Sequence, residues 1–86
     1  MLGRMAELTD EHRAVLDFEA ESIKHHGAKS SVIRERFGHS LVEHHRLVAW
    51  IIRQPEALAY APTTVRRLRR RRDQRLARRR SERRAS

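Results

Sequence analysis

Twelve of the last twenty-five residues are arginine, and only Asp73 and Glu82 oppose them. Residues 62–86 therefore carry a net charge of +10, whereas residues 1–61 carry eight Lys or Arg against nine Asp or Glu, a net of −1. The whole formal excess of +9 sits in one C-terminal segment. Such a block repels itself and cannot be packed into a hydrophobic core. It divides the chain into a near-neutral head that can fold and a cationic arm that cannot join its interior. Every basic residue in the arm is arginine, which favours bidentate phosphate contacts and stacking over the point charge of lysine. The arm then reads either as the partner of a polyanion or as a solvated, disordered tail.

The head has little material to work with. Eighty-six residues in all suit one small domain near the lower end of what a single core can stabilise. With no cysteine, neither a disulfide nor a thiolate metal site can compensate, and a reducing cytosol is the natural setting. The longest apolar stretch, Leu47 to Ile52, is too short to cross a bilayer. Residues 1–10 mix charges and lack the apolar core of a signal peptide. These features predict a soluble, cytoplasmic protein, associated with the nucleoid if the polyanion is DNA.

Periodicity and caps divide the chain into an N-terminal arm (1–8), a helical domain (9–61) and an arginine-rich helix or tail (62–86). Thr9 is a good N-cap, and Asp10 and Glu11 place negative charge in the following turn. This first helix is predicted to run to His25 or His26 and to stop at Gly27. Its apolar arc comprises Val15, Leu16, Phe18, Ala20 and Ile23, interrupted by Glu19. A second helix reads from Lys29 to Phe37, with Ile33 and Phe37 one turn apart, and Gly38 ends it. Ser40 then opens a third helix through a capping box with Glu43.

In the third helix, 41–53, Leu41, His45, Val48, Ile51 and Ile52 share one face, flanked by His44 and Leu47. Val42, Arg46, Ala49 and Arg53 lie opposite, with Trp50 and Glu43 beside them. Pro55 is expected to end this helix. A short turn or helix from Glu56 to Tyr60 leads to Pro62, which suits the first position of another helix. There Val65, Leu68 and Leu76 lie near one face, but Arg72 sits among them. That stripe can dock only two turns, and fraying is expected beyond about Leu76 in the absence of a partner. The fold class is all-α: a small three-helix, helix-turn-helix-like head followed by a C-terminal arginine-rich helix.

The segment Ser31 to Leu41, with its glycine turn and serine cap, has the pattern of a helix-turn-helix. The solvent face of the third helix then fits the major groove, with Val42, Arg46, Ala49 and Arg53 toward the bases and Arg46 best suited to guanine. The competing reading is that the same residues serve packing alone. Two residues depart from the motif. Arg34 stands where a small residue is usual and His44 where an apolar one is usual, so either the helices pack less tightly or these side chains reach outward. Arg66, Arg67, Arg69, Arg70, Arg71, Arg72, Arg75, Arg78, Arg79 and Arg80 are the candidate phosphate contacts.

The segments Leu8-Thr9-Asp10, Gly27-Ala28-Lys29, Arg34-Glu35-Arg36-Phe37-Gly38 and Ser40 also carry a resemblance. So do Pro55-Glu56-Ala57-Leu58-Ala59 and Val65-Arg66-Arg67-Leu68-Arg69-Arg70. Over roughly residues 8–72 the chain resembles a family of small proteins from actinobacteria and their phages, the domain of unknown function 3263. The likeness implies a helical, helix-turn-helix-like fold and brings no assigned activity. This chain departs from the family pattern at His44-His45, where aromatic residues are common, and at Ala61, where an acidic cap commonly precedes the proline.

Six histidines invite a metal reading, but adjacent residues on a helix point about 100° apart, so neither His25-His26 nor His44-His45 can readily chelate one ion. His25 and His26 suit a helix C-terminus, and His44 and His45 flank the core face, where they can titrate near neutrality. Trp50 is either covered by the Pro55–Pro62 segment or the start of the basic helix, or exposed as an anchor for a protein or a stacked base. No phosphate loop, nucleophile elbow or catalytic triad spacing is present, and no cofactor motif, so the chain reads as a non-enzyme. The sequence therefore points first to a DNA-binding protein, a transcriptional regulator or nucleoid-associated protein, with duplex DNA favoured over RNA. The alternatives are an RNA- or ribosome-binding protein and a small adaptor or inhibitor that docks a protein through Trp50 and the basic helix. A membrane-surface role is disfavoured, because Val65, Leu68 and Leu76 supply too little apolar face.

Overall fold

A computed structural model describes residues 8–21 and 29–85, and all regular structure among them is helical. The helices are α1 (Asp10–Glu21), α2 (Lys29–Phe37), α3 (Leu41–Ile51), α4 (Pro55–Tyr60) and α5 (Pro62–Ala85). Residues 1–7 of the N-terminal arm, the expected end of α1 near His25 to Gly27, and Ile23 lie outside the described residues, while Leu8 is described and buried.

α1 begins as its cap predicts. Thr9 Oγ1 accepts the His12 N–H at 3.1 Å, and His12 Nδ1 accepts the Thr9 N–H at 3.3 Å. This is the reciprocal geometry of a capping box, with imidazole in place of the usual carboxylate. The inner face of α1 differs from the predicted arc at two neighbouring positions. Glu19, the apparent interruption, is buried, and Ala20 is exposed. The reason lies across the interface in α3, where His44 supplies a partner for the carboxylate.

That pairing also turns α3. Its buried side is centred on His44 and Ile51, with Leu47 and Val48 half-buried, whereas His45 is exposed and Leu41 remains 38% exposed. The stripe is thus rotated toward His44 from the arc that hydrophobicity alone marks out. α3 is also shorter than expected. Ile52 is its C-cap, donating its N–H to the Val48 and Trp50 carbonyls, and Arg53 lies in the following turn. Gln54 adopts the extended conformation favoured before proline, and Pro55 opens α4 as its first residue.

The main core gathers Leu8, Val15, Leu16, Ile51, Ile52, Ala57, Val65 and Leu68, drawn from α1, α3, α4, α5 and the segment before α1. α5 packs on α1 and α4 through its N-terminal turns, where Thr64, Val65 and Leu68 are buried. This is the two-turn docking that its weak stripe predicts. The expected fraying past Leu76 is not seen, because α5 continues to Ala85. Arginine, alanine and leucine are strong helix formers, and like-charge i,i+4 repulsion costs only about 0.2–0.5 kcal/mol per pair. At 1.5 Å per residue its 24 residues span about 36 Å. The radius of gyration, 14.5 Å, exceeds the roughly 12 Å of a compact chain this long. The projecting arm accounts for the difference.

Candidate nucleic-acid interface

The turn between α2 and α3 is built on Gly38, whose φ of +72° is costly for any residue with a Cβ. Its N–H closes the last turn of α2 on the Arg34 carbonyl at 2.9 Å. The expected capping box follows. Ser40 accepts from the Glu43 N–H at 3.1 Å, and the Glu43 carboxylate accepts from the Ser40 N–H at 2.8 Å. The Ser40 N–H first, and then the Ser40 hydroxyl, hold the Glu43 carboxyl below the usual carboxylate range. α2 and α3 are in direct contact across this short link.

The two departures from the helix-turn-helix pattern resolve differently. Arg34 is exposed and leaves the helix contact to its neighbours. His44 neither loosens the packing nor reaches outward. It is fully buried, with Nε2 2.6 Å from Glu19 Oε2, and packs edge-on against Phe18 with Phe37 nearby. Lys29 Nζ approaches the other carboxylate oxygen at 3.3 Å. Burial pushes the Glu19 pKa up, but the hydrogen bond from His44 and the charge of Lys29 outweigh it, and the net displacement is downward. The carboxylate is therefore ionised near neutrality, so His44 Nε2 carries the proton and donates.

Opposite this core face, Val42 is 59% exposed, and Arg46, Ala49 and Arg53 are exposed as well. The guanidinium groups of Arg46 and Arg53 form no hydrogen bond or ion pair with a described residue. Trp50 stays 37% exposed. Its ring meets His12 of α1, with centroids 5.1 Å apart, where the sequence pointed to the Pro55–Pro62 segment or the basic helix. Tyr60, by contrast, ties α4 to α1 by donating to the Asp17 carboxylate at 3.0 Å.

The arginines of α5 fall into two groups that sequence does not separate. Arg67 Nη2 donates to the Glu19 carbonyl and Arg69 Nε to the Ile52 carbonyl, each at 2.6 Å. These two guanidinium groups attach the base of the arm to the last described turn of α1 and to the C-cap of α3. Arg72 is bound to Asp73. The guanidinium groups of Arg66, Arg70, Arg71, Arg75, Arg78, Arg79 and Arg80 make no hydrogen bond or ion pair with a described residue, and these residues are exposed.

Between α3 and the inner side of α5 runs an open groove of about 480 Å³. Val48, Ala49 and Ile52 form one side of its floor, and Leu68 and Leu76 the other. Arg71, Arg72, Arg75 and Arg79 line the arm side, and Glu19, Lys29 and His45 complete the lining. Burial, and then the nearby charges of Lys29 and His44, lower the His45 pKa below its ordinary 6.5. No group of three His, Cys, Asp or Glu that could hold a metal ion occurs among the described residues. Nor is any described helix long and apolar enough to cross a membrane.

A small all-α head bearing an attached arginine helix defines the class. The chain belongs to the family described as protein of unknown function (DUF3263), whose pattern matches residues 7–81. Comparison with curated proteins and with solved structures gives no match.

Proposed function

We propose that this chain is a DNA-binding protein, acting as a transcriptional regulator or as a nucleoid-associated protein. The observation that carries the reading is the state of the arm: a continuous helix with seven exposed arginines whose guanidinium groups have no partner among the described residues. Fixed to the head by Arg67 and Arg69, it presents these cations in a set direction over a length comparable to one turn of duplex. The exposed α3 face, with Arg46 and Ala49, would enter the major groove, with Val42 and Arg53 at its ends. Arg66, Arg70, Arg71, Arg75, Arg78, Arg79 and Arg80 would follow the phosphates. Phosphate contacts position a protein without reading sequence, so discrimination falls to α3.

An electrophoretic shift with random duplex across a salt series tests this. Each neutralised phosphate steepens the fall of log K with log salt by about 0.9. Six engaged arginines give a slope of about −5, and deletion of residues 78–86 should make it shallower while leaving Arg67 and Arg69 in place. A slope unchanged by that deletion rules out Arg78, Arg79 and Arg80 as phosphate contacts. Structured RNA of equal length, run beside the duplex, tests the polyanion: preferential binding of RNA overturns the DNA reading.

A further inference from the structure

Duplex DNA accounts for the arginines of the arm but leaves the floor of the α3–α5 groove without a counterpart. Val48 and Leu76 expose apolar side chains there, beside the buried Ile52 and Leu68, and a phosphate backbone offers no apolar surface to cover them. We propose that this groove is a docking site for an acidic amphipathic helix of a partner protein.

Charge and spacing both select that occupant. Arg71, Arg75 and Arg79 recur at every fourth residue along the groove wall, a rise of about 6 Å between successive guanidinium stems. Carboxylates at i and i+4 on a second helix repeat at the same interval, and an apolar stripe beside them falls on the floor. From Leu68 to Arg79 the wall is about 16 Å long, enough for three turns of a docked helix.

Other occupants fit less well. Single-stranded bases stack on aromatic platforms, and His45 is the one ring among the described lining residues. A bilayer needs a broad apolar face, whereas this floor is recessed between arginines. A second copy would bring two arms of charge +10 against each other.

The probe is a fluorescein-labelled, helix-forming 14-residue peptide with leucines on one face and glutamates flanking them, compared by anisotropy with a shuffled peptide of identical composition. The full-length chain should bind the amphipathic peptide about tenfold more tightly than the shuffled one. Leu76 is exposed and lies beyond the docked turns, so Leu76→Gln keeps the fold and the charge. It should weaken the amphipathic peptide about fivefold and leave the shuffled one unchanged. Arg75→Gln/Arg79→Gln should weaken that peptide more than Arg83→Gln/Arg84→Gln, which removes the same charge outside the groove. Equal affinity for the two peptides, or equal effects of the two double variants, would overturn the proposal in favour of nonspecific charge attraction. Stronger binding of dodecyl phosphate than of the peptide, abolished by Leu76→Gln, would overturn it in favour of a small amphiphile. A dimer dissociated by Leu76→Gln would assign the groove to a second copy. Because the duplex assay is separate, failure here leaves the DNA reading intact, and the reverse also holds.

Discussion

His44 Nε2 and Glu19 Oε2 lie 2.6 Å apart at the meeting of α3 and α1, the histidine wholly buried and the glutamate 2% exposed. A carboxylate removed from water is tolerated only when its charge and lone pairs are met, and here His44 and Lys29 meet them from two other helices. The pair thus selects which α3 residue faces inward, at the expense of His45.

Removing one partner leaves the other buried alone. Glu19→Ala or His44→Ala should each lower the stability measured by urea unfolding by about 3 kcal/mol. The double change Glu19→Leu/His44→Phe should recover most of that loss, since an apolar pair needs no charge compensation. A double variant no more stable than either single one would show that the site requires the ion pair itself.

Acid should weaken the fold in two stages. The His45 pKa is depressed in the folded chain, so the unfolded chain binds more protons, and stability declines as pH drops below the ordinary value of 6.5. Lys29, His44 and Arg75 favour neutral His45, and Glu19 alone opposes them. The Glu19 pKa is also depressed, so its contribution is complete above its ordinary 4.5 and is lost as pH falls below that. Urea midpoints collected from pH 3 to 8 should show both limbs, and His45→Asn should remove the upper one alone.

Gly38 isolates the conformational cost of the turn. A Cβ there would meet nothing within 4 Å, so only the positive φ penalises a substitution. Gly38→Ala should cost about 1 kcal/mol and Gly38→Asn less, because asparagine visits the left-handed region more readily. Thermal melts would measure both. Equal costs would show that the left-handed backbone is not what the glycine supplies.

The two groups of arginines should separate in experiment. Arg67→Ala or Arg69→Ala should destabilise the chain by about 1.5 kcal/mol, the value of a charge-assisted hydrogen bond, and leave the slope of duplex binding against salt unchanged. Arg78→Ala should do the opposite, with stability altered by less than about 0.5 kcal/mol and the slope shallower by about 0.9. Melting curves and salt series on the same three variants check this.

Local signals made most of the architecture legible. Thr9, Gly38, Ser40 with Glu43, and Pro62 each act on the backbone within one turn, so the starts of three helices and the α2–α3 link could be placed from residue type. Pro55 was read as a stop alone, although its fixed φ serves equally as the first residue of α4. What could not be read were matches across the sequence. Glu19 and His44 are 25 positions apart, and each looks like a blemish in its own helix until the other is set against it. Arg67 and Arg69 resemble their neighbours in every local respect, and only the carbonyls they reach distinguish them. The exposed set Val42, Arg46, Ala49 and Arg53 was legible because it needs only the helical period. The groove was not, since its floor is shared by two helices.

The attachment of α5 by Arg67 and Arg69 has a consequence for how the two parts of the molecule communicate. The carbonyls that receive these guanidinium groups belong to Glu19 and Ile52, the first on the residue that pairs with His44 and the second at the end of the helix that carries His44. The bearing of the arm is therefore set in part at the same residue, Glu19, whose side chain sets the roll of α3 about its axis. Damage to the Glu19–His44 pair should appear first as lost alignment between arm and α3, so that attraction to a polyanion outlasts the ability to seat both on it together.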